Sequence, residues 1–123
     1  MKELTRAEEQ VMQILWRIGK GHVNDLLEYF PEPKPAYNTV STVVRILETK
    51  GFVSHNSYGK THEYFPAIER ENYKRDVTKT IVEKYFDGSV RNLVSFFVDE
   101  KKINLKDIDF ILQQIAEQQK QKS

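Results

Sequence analysis

Residues 36–51 read AYNTVSTVVRILETKG, and the way this stretch divides its side chains decides the fold. Val40, Val43, Val44 and Leu47 recur at i, i+3, i+4 and i+7, the spacing of one buried helix face. Asn38, Thr39, Ser41 and Thr42 fill four of the first seven positions, and Arg45 follows one turn later. Short polar side chains of this kind are mediocre helix formers, because they compete for backbone hydrogen bonds. An apolar stripe therefore fastens the helix to a core, while a polar and mostly uncharged face looks outward. Such a face suits the base edges of a DNA major groove. An ordinary solvated helix surface is the competing reading.

Upstream, Thr5-Arg6-Ala7-Glu8 has the form of a capping box, in which hydroxyl and carboxylate satisfy free amides at a helix start. Val11, Ile14, Leu15 and Ile18 continue as a helical stripe, with Leu4 placed as a staple before the cap. Trp16 lies beside the stripe and reads as packing, and Gly19 and Gly21 end the helix. Residues 23–30 predict a second helix with Val23, Leu26, Leu27 and Phe30 inward and His22 or Asn24 as its cap. Pro31, Pro33 and Pro35 then forbid regular helix up to the opening stretch. Gly51 closes that stretch as a left-handed cap, with Lys50 at the negative end of the helix dipole.

Downstream, residues 52–54 and 61–65 read as two strands around a loop holding Asn56, Ser57, Gly59 and Lys60, with Pro66 ending the second. Three short helices and a hairpin are the order of a winged helix-turn-helix domain. The fold expected is thus mainly α with a small β-wing. A winged-helix domain spans residues 1–67 and a helical dimerisation region residues 68–123.

In that second region Ile68, Tyr73, Val77, Ile81 and Tyr85 line one side of a helix over residues 69–86, broken by Asp87-Gly88. Ser89 caps a short helix with Val90, Leu93, Val94 and Phe97 as its apolar face. Asn104 caps a third, in which Leu105, Ile108, Ile111, Leu112 and Ile115 follow at helical spacing. Three amphipathic helices with few intervening residues cannot bury all their apolar faces on one another. A second copy of the chain is the expected cover, with a monomeric bundle as the alternative. The dimer contacts expected are Tyr73, Val77, Ile81, Leu93, Phe97, Leu105, Ile108 and Leu112.

The composition narrows the function. Of 123 residues, 39% are hydrophobic, which allows a core, and the net charge of +1 means that nucleic-acid binding must come from local patches. The absence of cysteine removes disulfides, thiolate metal sites and cysteine nucleophiles. No apolar run approaches the ~18 residues of a membrane span. Acidic residues stand where a signal peptide is apolar, so a soluble cytoplasmic protein without membrane insertion is expected. His22, His55 and His62 are scattered, and no HExxH, phosphate loop or GxSxG elbow occurs. No enzyme activity, cofactor or metal is expected.

The candidate DNA-binding residues are Asn38, Thr39, Ser41, Thr42 and Arg45 on the third helix, Tyr37 at its start, and Lys60 and His62 on the wing. Asparagine pairs bidentately with adenine, and Arg45 can reach guanine or phosphate. Lys34, Lys50 and Lys60 add phosphate attraction from the flanks. A winged helix used only for protein–protein contact is the alternative, kept open by the near-neutral charge.

LTRAEEQVMQILW, PAYNTVSTVVRILETKGFV and GKTHEYFP together resemble the penicillinase repressor family, and the likeness runs over residues 4–112. The family holds repressors of β-lactam and methicillin resistance and copper-responsive repressors. The resemblance implies a homodimer that binds a pseudo-palindromic, double-stranded operator through recognition helix and wing and blocks transcription. In the antibiotic-resistance branch it also implies a membrane sensor-protease that cuts an Asn-Phe bond in the helix matching residues 92–97. Phe96-Phe97 stands at that place here, so the scissile pair differs. The copper branch uses a cysteine-rich motif that this chain does not have.

Overall fold

The computed structural model describes residues 3–122. The order is α1 (Arg6–Ile18), α2 (Val23–Leu27), α3 (Tyr37–Thr49), β1 (Val53–Tyr58), β2 (Thr61–Pro66), α4 (Arg70–Tyr85), α5 (Val90–Asp99) and α6 (Leu105–Lys122). Two compact units divide between Asp76 and Val77. Among the described residues no helix is long and apolar enough to cross a membrane.

In the first unit, α1 starts at the expected capping box: Glu8 N–H donates to Thr5 Oγ1 at 3.2 Å and Thr5 N–H to Glu8 Oε1 at 2.8 Å. Gly19, at φ +86°, ends the helix with its N–H on the Leu15 carbonyl. Val11, Met12 and Leu15 of α1, Leu26 of α2, Val40, Val44 and Leu47 of α3, and Phe52 form a core at 2% exposure or less. Burying each such side chain stabilises the fold by about 1.5–3 kcal/mol before entropy is counted. Helix α2 is shorter than sequence spacing suggests: past Leu27 the Tyr29 and Phe30 amides bond the Leu26 and Leu27 carbonyls in tighter turns, and Lys34 Nζ donates to the Leu27 and Glu28 carbonyls at the end. Phe30 still reaches the core.

Strand β1 runs on through Asn56 and Ser57, which the sequence placed in a loop. It pairs antiparallel with β2 from Val53↔Pro66 to Tyr58↔Thr61. Only Gly59 and Lys60 remain as the turn. Gly59 leads it at φ +62°, the Gly-first form whose twist matches a two-residue hairpin. Gly21 adds a one-residue third strand, exchanging both backbone hydrogen bonds with Tyr64. A Cβ there would sit 3.1 Å from Ile18 Cδ1 and 3.2 Å from Asp25 Cβ, so glycine lets the wing lie close to the helices.

Two sequence assignments need correcting. Tyr73, placed on the dimer face by its spacing, is buried in its own chain, 5.4 Å from the Trp16 ring and 5.9 Å from Phe52. Trp16 Nε1 also donates to the Ile68 carbonyl, so the chain after β2 is tied to α1. Lys50, expected to attract phosphate, instead donates to Glu8 Oε1 at 2.7 Å and ties the end of α3 to the start of α1.

In the second unit, Ser89 Oγ accepts from the Asn92 amide, and Asn104 and Asp107 cap α6 reciprocally. Val82 is buried in the second half of α4, and its carbonyl accepts from the Phe86 and Gly88 amides at the turn that ends the helix. Ile81 and Tyr85, the expected stripe, are exposed, as are Phe97, Leu105, Ile108 and Leu112. Leu93 and Val77 are half-buried.

Glu8 is only 4% exposed. Burial pushes its carboxyl up, but hydrogen bonds from Lys50 and Thr5 and the Lys50 charge outweigh that and hold it below the ordinary carboxylate value. A lowered folded-state value means that the stabilisation is complete above the unfolded carboxylate range and is lost as pH falls through the folded value. Glu8→Gln should therefore cost about 1–2 kcal/mol at neutral pH, since Lys50 keeps some access to water. The gap to the parent should close below about pH 4. Urea denaturation at the two pH values checks this, and an unchanged midpoint at neutral pH contradicts it.

Candidate nucleic-acid interface

With Val40, Val44 and Leu47 inward, the remaining circumference of α3 has three zones. Asn38, Thr42 and Thr49 form an exposed crest. Tyr37, Ser41 and Arg45, at i, i+4 and i+8, descend the flank that faces the wing. Thr39 lies on the opposite flank beside Val43, where Phe30, Pro31, Pro33 and Pro35 line a separate hollow of about 320 Å³. Ile46, 43% exposed, also projects from this otherwise polar surface.

The wing-facing flank is one wall of a cleft of about 570 Å³. Lys60, Thr61, His62 and Tyr64 form the opposite wall, and His22, Val23, Asn24 and Asp25 at the start of α2 close one end. The structure thus brings Tyr37, Ser41, Arg45, Lys60 and His62 to one cleft, while Asn38 and Thr42 stand on the crest and Thr39 points away from it. Sequence reading did not assign His22, Asn24, Asp25, Thr61 or Tyr64 to this surface. The Gly21–Tyr64 pairing and the His22 Nδ1 contact with the His62 carbonyl carry the start of α2 to the wing, and no local motif signals either.

Hydrogen bonds fix several of these groups. His22 Nδ1 lies 2.9 Å from the His62 carbonyl, and the His22 amide donates to Asp25 Oδ2. Arg45 Nε donates to the Ser41 carbonyl at 3.3 Å, which holds the side chain along the helix. Burial, helped by Glu48 and Tyr37 and opposed by Arg45, holds the Tyr64 hydroxyl above the ordinary phenol range, so it stays neutral.

Ala36 gives α3 an N-cap without a side-chain hydrogen bond. Its first-turn amides are left for solvent or an anion. Of the three lysines expected to face phosphate, Lys34 and Lys50 are spent on the fold, and Lys60 at the turn is the one that lines the cleft. Among the described residues no group of three or more His, Asp or Glu side chains is arranged to hold a metal ion.

The surface is therefore a donor-rich helix face beside a narrow cleft with Arg45 and Lys60 as its fixed cations. It has shape and hydrogen-bonding capacity for a polar polyanion. Comparisons with known proteins agree with this geometry. The methicillin resistance regulatory protein MecI of Staphylococcus aureus (strain N315) is 26% identical over 108 residues, covering 87% of this chain and 88% of the relative. The penicillinase repressor of Bacillus licheniformis is 20% identical over 121 residues, covering 98% and 94%. The solution structure of the DNA binding domain of the repressor BlaI matches with a TM-score of 0.50 and 25% identity, over 59% of this chain and 94% of that one. The family model described as penicillinase repressor matches residues 4–117. The chain belongs to the penicillinase repressor family.

Proposed function

We propose that this chain is a transcriptional repressor that binds double-stranded operator DNA as a homodimer, one α3 to each half of a pseudo-palindrome. The observation that carries the reading is the uncovered polar face of α3 beside the wing cleft. Asn38, Thr42 and Arg45 read base edges, Ser41 and Tyr37 support them, and Lys60 and His62 hold phosphate on the wing side. Thr39 contacts the backbone from the opposite flank. Membership of the family and the named regulatory roles of MecI and the penicillinase repressor support this assignment. Such a repressor works in the cytoplasm, where its operator is, and needs no enzymatic step.

The homodimer is supported by the second unit. Leu105 is 78% exposed, Leu112 58% and Phe97 40% in a single chain, a run of apolar surface that water alone would cover at a cost. Val77, Ile81, Leu93, Phe97, Leu105, Ile108 and Leu112 are the contacts proposed for a second copy. The two-fold axis places half-sites about one or two helical turns apart. In this reading repression is relieved by a membrane sensor-protease or by another signal, and Phe96-Phe97 of α5 stands where the antibiotic-resistance branch has its Asn-Phe bond.

Electrophoretic shift on the promoter of the chain's own gene tests DNA binding; no shift beyond that of random DNA at low salt overturns it. Arg45→Ala should weaken operator binding roughly tenfold or more while changing random-sequence binding little. Lys60→Ala should weaken both and reduce the salt slope by about 0.9. Equal losses on both DNAs for Arg45→Ala would make it a phosphate contact.

Leu112 is exposed in one chain, so Leu112→Glu should leave the chain folded. Sedimentation should then give the mass of one chain where the parent gives two, with weakened operator affinity. A parent of one-chain mass at every concentration contradicts the dimer.

A further inference from the structure

His55 and His62 of the wing stack on each other, and His22 at the start of α2 contacts the His62 carbonyl. In the β1–β2 register His55 opposes Tyr64 and Ser57 opposes His62, so His55 and His62 are diagonal neighbours on one face of the hairpin. Their rings stack at 4.1 Å with planes 9° apart, and Tyr64 meets both edge-on at 5.7 and 6.1 Å. His55 Nδ1 lies 2.5 Å from Glu48 Oε2 in the last turns of α3. His62 continues outward from this stack, exposed on the cleft wall, while its backbone carbonyl is held by His22 Nδ1.

A carboxylate near the C-terminus of a helix, beside a proposed DNA surface, is badly placed electrostatically, since dipole and phosphate both repel it. Its partner explains it. We propose that Glu48 and His55 are positioning residues: they hold the His62 imidazole at the cleft rim as a phosphate contact that takes up a proton on binding DNA. The inference rests on the reading of the cleft as a DNA interface.

Two cationic rings about 4 Å apart repel by about 1 kcal/mol even at the dielectric of water. A negative group facing each ring offsets that repulsion. Glu48 neutralises the inner ring, and an incoming phosphate neutralises the outer one. The sequence of charges from α3 to the DNA is then carboxylate, His55 cation, His62 cation, phosphate. The other charged groups at this place are Arg45 from α3, Asp25 from the start of α2 and Lys60 from the turn. Tyr64, pushed up by burial and by Glu48, remains neutral, and Tyr37 faces the cleft from the start of α3. Histidine is the side chain type whose charge change ordinarily lies near neutral pH, so the proton linkage is assigned to the histidines.

Fluorescence anisotropy with a labelled duplex from the chain's own promoter, at fixed ionic strength, tests the proposal. The parent should bind about fivefold to tenfold more tightly near pH 6 than near pH 7.5, the linkage of up to one proton taken up. Glu48→Gln and His55→Phe should flatten that dependence while keeping affinity at the higher pH within about twofold. His62→Gln should flatten it too. Circular dichroism confirms that each variant is folded, and Ser57→Ala on the same hairpin face should keep the parental pH profile. Binding that is specific but independent of pH, or a Glu48→Gln variant with the parental profile, overturns the inference. Loss of specific binding by the parent at every pH overturns the DNA reading itself, and this inference with it.

Discussion

The burial of Val40, Val44 and Leu47 decides where everything else on α3 can point. A helix anchored along one line has its other faces assigned by rotation alone. The crest, the cleft flank and the proline-side flank follow from three valine and leucine side chains reaching the core. The anchoring also excuses the helix its composition: Asn38, Thr39, Ser41 and Thr42 would hold a helix poorly in isolation, and tertiary packing supplies what propensity lacks. The Glu8–Lys50 pair completes the arrangement by fixing the far end of α3 to the start of α1.

Much of this was legible in the sequence because it is local. The capping box at Thr5 and Glu8, the stripe of α3, the left-handed Gly51 and the hairpin all depend on residues a few positions apart. What was not legible depends on distant partners. Lys50 looked like a phosphate contact until a carboxylate forty-two positions earlier took it. Tyr73 has the spacing of a dimer contact, and only the fold brings Trp16 and Phe52 against it. The stack of His55 on His62 requires the hairpin register, which the turn at Gly59 and Lys60 sets and which no spacing of histidines announces.

The two units divide the work on different physical grounds. In the first, apolar surface is consumed by the core, and the surface left over is polar and shaped. In the second, α5 and α6 retain exposed apolar side chains, the surface proposed to meet a second copy. A reader of short DNA sequences would gain from the proposed pairing, since two weak half-site contacts on one dimer act together.

Hydroxyl-radical footprinting of the chain on its own promoter tests the central claim most directly. The account predicts two protected stretches related by a pseudo-two-fold axis, with centres about one or two helical turns apart. A single unpaired protected stretch, or uniform weak protection without a preferred position, would contradict it.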